Sequence, residues 1–188
     1  MEKTPSRPVN RPFLLHQSGF TFVELITVVL LIGILSVIAV ARFSGNDGIA
    51  EFTYQNRLIS ALRNIQQRAM HDSRAGFCFQ INLSTGAVAP AFGPPSLDYS
   101  AGNQAATCAA GIDASVEFLS TTNTEIAEQG VTLNALDGAS SSLASIGFDG
   151  MGRPLTNVNN CASGCVVSFV GTSEARVCIE SQGYVHAC

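Results

Sequence analysis

Tryptophan is absent from this chain, Lys3 is its one lysine, and charged residues make up 13% of its 188 positions. Ten basic residues face fourteen acidic ones, a net charge of −4. Lys3, Arg7 and Arg11 lie in the first eleven positions, so beyond residue 19 seven arginines face thirteen acids, near −6. General nucleic-acid binding needs the opposite balance, because it works by neutralising phosphates. Catalytic patterns are missing too. There is no phosphate-binding glycine loop with lysine, no G-x-S-x-G and no paired metal motif. His16, His71 and His186 stand isolated, each better suited to solvent or packing than to acting as a base. No enzyme activity, metal or cofactor is expected.

Apolar residues, in contrast, are gathered into one run, "SGFTFVELITVVLLIGILSVIAVARF", residues 18–43. From Phe20 to Ala41 it carries a single charge, Glu24. A helix of that length spans roughly 33 Å, enough for the hydrocarbon core of a bilayer. The basic residues precede it, which places residues 1–19 on the cytoplasmic side and the remainder beyond the membrane. Pro5, Pro8 and Pro12 make the leading segment extended.

Six cysteines, Cys78, Cys108, Cys161, Cys165, Cys178 and Cys188, all follow the run. Their number and place suit an oxidising compartment and a disulfide framework. Cys161-x3-Cys165 has zinc-like spacing, but no second pair or histidine completes four ligands. Six cysteines allow 15 connectivities. The expected pairs are the local closures Cys161–Cys165 and Cys178–Cys188, with Cys78–Cys108 as the third.

Three readings of the run compete. A secretory signal has an A-x-A site at Ala39–Ala41, yet its apolar stretch exceeds the usual length. It predicts a mature terminus at Arg42. A plain anchor requires no particular residue at its leading edge. Neither accounts for "GFTFVE", residues 19–24. A glycine, then F-T-x-x-E, then about twenty apolar residues resembles the leader of type IV pilins and of type II secretion pseudopilins. The resemblance implies cleavage after Gly19 by a prepilin peptidase, which also N-methylates the new terminus, Phe20. It implies that the helix is retained, first in the inner membrane with a periplasmic head, then in an extracellular pilus. The partners implied are that enzyme, other major and minor pilins, and an inner-membrane assembly platform. A carboxylate in hydrocarbon is costly and normally finds a partner. The α-amine of Phe20 on a neighbouring subunit suits Glu24, in a pair that sets register more than it adds stability.

The remainder divides accordingly: a leader at 1–19, the apolar helix at 20–42, a hinge and amphipathic helix at 43–75, and a β-rich head at 76–188. Ser44–Gly48 breaks the apolar pattern and suits a flexible point. Ile49, Phe52, Ile59, Leu62, Ile65 and Ala69 form one helical stripe, opposite Arg57, Asn64, Gln67 and Arg68. Residues 77–83 alternate, predicting a strand with Phe77, Phe79, Ile81 and Leu83 inward. Residues 89–115 read as a long loop. Strands are predicted at 116–119, 131–136, 166–170, 175–180 and 184–187, with a hairpin turn near Gly150–Gly152. The fold expected is α+β and pilin-like. A long N-terminal helix, half for the membrane and half amphipathic, lies against an antiparallel sheet.

The segments "RLISALRNIQQRAMHD" and "FDGMGRP…CASGCVVSFVGTSEARVCIESQGYVHAC" resemble minor pilins of the mannose-sensitive haemagglutinin type. H-class pseudopilins and DNA-uptake minor pilins share the hairpin-rich head and are the alternatives. The DNA-uptake reading needs a basic patch, yet Arg153 and Arg176 are the only basic residues after Arg74. No nucleic-acid partner is therefore expected.

Overall fold

A computed structural model describes residues 20–43, 48–72, 77–95 and 110–188, with the side chains of the first segment described as far as Ser36. The chain divides into two compact units, Met1–Gly45 and Asn46–Cys188. In the first unit, helix α1 runs Phe22–Phe43. In the second, helix α2 runs Ile49–His71. One long N-terminal helix is not seen. Gly48, which caps α2, has φ +95°, a left-handed conformation in which a right-handed helix cannot continue. The rest of the predicted flexible point, residues 44–47, lies outside the described residues, as does the leader. Among the described residues no helix is long and apolar enough to cross a membrane.

The second unit is built from α2, a short helix α3 (Asn123–Glu128) and two antiparallel four-stranded sheets. Strands β1 (Gln80–Ser84), β2 (Ala91–Gly93), β4 (Ser145–Phe148) and β5 (Pro154–Thr156) form one, in the order β2-β1-β4-β5. Strands β3 (Thr132–Asp137), β6 (Cys165–Val170), β7 (Glu174–Ile179) and β8 (Val185–Ala187) form the other, in the order β3-β6-β7-β8. Two sheets thus replace the single one expected. Helix α2 packs on both, touching β1 and β4 of the first and β6, β7 and β8 of the second. Phe169 of β6 joins the layers. Its ring lies 6.0 Å from Tyr54 of α2 and 6.1 Å from Phe92 of β2.

The buried face of α2 corrects the predicted stripe. Ile59, Leu62, Ile65 and Ala69 are buried, but Ile49 and Phe52 are 59% and 49% exposed. The buried face continues instead through Leu58, Gln55, Tyr54 and Glu51. Two of those residues are polar, so a hydropathy pattern skips them. Both are fastened to the second sheet. The Gln55 side chain donates to the Arg176 carbonyl, and Glu51 accepts from the Ser173 N–H. Further along α2, Gln66 Nε2 donates to the Gly152 and Gly183 carbonyls at 2.7 Å each, tying the β4–β5 turn to the β7–β8 turn.

Phe77, Phe79, Ile81 and Leu83 are all buried, as their alternation predicts. Two other segments differ from expectation. Ala91–Gly93 pairs with β1 inside the predicted loop, with Leu83 opposite Phe92. Val116–Leu119 is a turn rather than a strand, closed by Leu119 N–H on the Val116 carbonyl at 2.9 Å. Arg57 holds that turn from α2 by donating to the Ser120 and Glu117 carbonyls and pairing with Glu125. Just beyond it α3 is capped by Thr122, whose hydroxyl accepts the Glu125 N–H at 3.2 Å. Such an N-cap is worth about 1 kcal/mol.

The Asp137 carboxylate organises the β3–β4 connection. It accepts the N–H groups of Ala139 and Ser141 at 2.9 and 2.7 Å and the Asn159 amide at 2.9 Å. The Ser141 N–H first, with Asn159 and Ala139 assisting, holds its carboxyl below the usual aspartate value of 3.8. Its stabilisation is therefore present above that value and is lost as the pH falls through the lowered one. Wild-type stability is expected to drop on acidification below about pH 4 more steeply than that of Asp137→Ala, in urea melts across pH 2–7. Parallel curves would remove Asp137 from the account.

Candidate assembly element at the N-terminus

The sequence singles out Gly19, Phe20 and Glu24. Gly19 lies outside the described residues. Phe20 and Thr21 are non-helical, and α1 opens at Phe22 with Glu24 in its first turn. The Glu24 N–H donates to the Thr21 hydroxyl at 3.3 Å, and the Leu25 N–H donates to the Thr21 carbonyl at 3.2 Å. Thr21 is therefore the N-cap of α1, and Glu24 sits at the third helical position, where a negative charge meets the positive end of the helix dipole. This role of Thr21 was missed in the sequence, although T-x-x-E before an apolar run announces it. The same signature, Thr122-x-x-Glu125, opens α3. Among the described residues no cation pairs with Glu24, and its side chain is exposed.

Beyond Glu24 the helix presents apolar side chains on every side. Every described residue from Phe20 to Ser36 is exposed, among them twelve large apolar side chains from Phe20 to Leu35. Burying one such side chain is worth about 1.5–3 kcal/mol, so the set represents on the order of 20 kcal/mol left uncollected. A surface helix of a globular head shows one apolar stripe, not a full circumference. The two hydroxyls within it are turned inward on the helix. Thr27 donates to the Glu24 carbonyl at 2.9 Å and Ser36 to the Ile32 carbonyl at 2.7 Å. The helix side therefore offers its surroundings almost no unmet hydrogen bond, which is what an apolar environment requires.

The cysteines lie in the second unit. Cys161 is bonded to Cys165 and Cys178 to Cys188, the local pairs named from the sequence. Cys78 is disulfide-bonded, and Cys108, its expected partner, lies outside the described residues. Cys161 and Cys165 are buried, whereas Cys188 is exposed at the chain end and its bond tethers β8 to β7. A closure of this size is worth about 2–3 kcal/mol. His16 lies outside the described residues, and His71 is exposed in the last turn of α2. His186 stacks on Tyr184 with ring centroids 4.7 Å apart. Its ring is held above the usual histidine value, first by the Ala187 carbonyl and then by Glu180. Among the described residues no group of three or more His, Cys, Asp or Glu could hold a metal ion. The structure thus gathers Phe20, Thr21 and Glu24 in one turn and leaves the histidines apart.

No protein-family model, curated protein or solved structure matches the chain.

Replacing Thr21 with Ala removes the cap and should cost about 1 kcal/mol at the start of α1, while Thr21→Ser retains it. NMR of the full chain in detergent micelles should show loss of helical shifts at Phe22–Glu24 in the alanine variant alone. Equal shifts in both variants would exclude the cap.

Proposed function

We propose that the chain is a structural subunit of a type IV pilus, a minor pilin of the mannose-sensitive haemagglutinin type. The observation that carries this reading is the coincidence of the "GFTFVE" motif with the opening of a helix that is apolar all round. A prepilin peptidase cuts after Gly19 and methylates Phe20. The subunit waits in the inner membrane through residues 20–42, with its head in the periplasm. It then enters the filament by exchanging lipid for the helices of neighbouring pilins.

Glu24 has two physical tasks in this reading. Within its own chain it complements the helix dipole beside the Thr21 cap. Between chains it meets the Phe20 amine of a neighbour, offset along the axis. At about 4 Å and an effective dielectric near 20, the attraction is about 4 kcal/mol, much of it cancelled by desolvation. The pair therefore specifies register. The disulfides support a small head outside the cell, where thiols do not stay reduced.

Glu24→Ala should leave the head folded and the cut after Gly19 intact, yet reduce recovery of the subunit in sheared filaments at least tenfold. Immunoblots of membrane and filament fractions read both quantities. Incorporation at the wild-type level would refute the register role.

A further inference from the structure

Cys161–Cys165 and Cys178–Cys188 are both anchored in the second sheet, but on opposite faces. Cys165 opens β6 and lies opposite Ile179, on the face turned to the core. Cys161 and Cys165 are 0% and 1% exposed. Strand β7 buries Ala175, Val177 and Ile179, which turns Arg176 and Cys178 outward. Cys178 therefore stands on the outer face, between Val166 of β6 and His186 of β8 in the register. It is half-buried, and its partner Cys188 is exposed. Exchange of a disulfide begins when a thiolate reaches one of its sulfurs. A pair sealed in the core is closed to that attack, whereas a pair with an exposed member is open to it.

Strand β8 does not rely on the bond for its place. It pairs with β7 from Val185 to Ala187, and Val185 is buried in the core. The Glu180 N–H donates to the Tyr184 carbonyl at 2.9 Å and the Cys188 N–H to the Arg176 carbonyl at 3.2 Å. From α2, Arg63 donates to the Val185 carbonyl at 2.8 Å and Gln66 to the Gly183 carbonyl at 2.7 Å. With the strand so held, breaking the bond leaves two thiols side by side, ready to rejoin. We propose that Cys178–Cys188 is a thiol–disulfide exchange site, opened and closed on the folded head by an external dithiol, such as the paired cysteines of an oxidoreductase. One thiolate of the dithiol attacks the exposed Cys188 Sγ. A mixed disulfide forms there as the Cys178–Cys188 bond breaks, and Cys178 leaves with the electron pair and takes up a proton. The second thiol of the dithiol then displaces Cys188. Two electrons and two protons pass to the chain, and the dithiol becomes a disulfide. The reverse sequence closes the bond. This inference stands apart from the pilin reading, whose failure shows as absence of cutting after Gly19.

Timed reduction of the full chain in detergent micelles tests it, with dithiothreitol as the dithiol and no denaturant. Samples are quenched, alkylated with N-ethylmaleimide and mapped by peptide mass. Cys178 and Cys188 should take up label at least about tenfold faster than Cys161 and Cys165. Opening of both pairs at one rate, or opening of Cys178–Cys188 only in denaturant, overturns the proposal. Amide hydrogen exchange at Val177 and Val185 should stay protected in the chain reduced at this bond alone. Loss of that protection overturns opening on the folded head. With glutathione as a single thiol, the trapped adduct should sit on Cys188, and an adduct mainly on Cys178 overturns the order of steps. On transfer to oxidised dithiothreitol the same pair should re-form, and scrambled pairing overturns the reversible site.

Discussion

An apolar helix without an apolar partner in the described chain is the constraint on which everything else depends. A carboxylate and two hydroxyls are the polar side chains between Phe22 and Ser36, and the hydroxyls bond back to their own helix. Water is the wrong surrounding for such an element by tens of kcal/mol. In the proposed function the surroundings are lipid and then a bundle of like helices, and both accept the same side chains. That equivalence makes transfer between them feasible: dispersion packing and register replace lipid contact, with small net change in burial.

The second unit closes its own core between two sheets and α2, with Phe169 touching both a β2 phenylalanine and an α2 tyrosine. Side-chain bonds to the backbone do much of the stitching. Gln66 binds two turns, Arg57 a third, and Asp137 a fourth, in a chain with few charges to spend on ion pairs. Polar and apolar contacts both fasten α2 along its length: Glu51, Gln55 and Gln66 bond to the backbone of strands and turns, while Tyr54, Leu58, Leu62 and Ile65 lie in the core.

Much of this was legible in the sequence, for physical reasons that differ by element. The alternation of residues 77–83 fixes which side chains face inward, because a one-residue slip in a strand reverses its faces. The tail strands were legible for the same reason, with Val167 opposite Val177 in the core of the second sheet. The first half of α2 was misread because its buried face includes Glu51 and Gln55, whose burial depends on strands more than a hundred residues away. The split into two sheets was not legible either. It depends on which strands pair, and β1 meets β4 across some sixty residues. At the N-terminus the motif singled out Phe20 and Glu24 and passed over the cap at Thr21, although its signature stood in plain view.

The central claim is that the apolar helix is retained as the working part of the molecule and is not removed as a signal. Intact mass spectrometry of the mature protein, extracted from its native membrane, tests that most directly. The account predicts a chain that begins at Phe20, carries one added methyl group and keeps residues 20–42. A chain beginning at Arg42, or one still carrying residues 1–19, would contradict it.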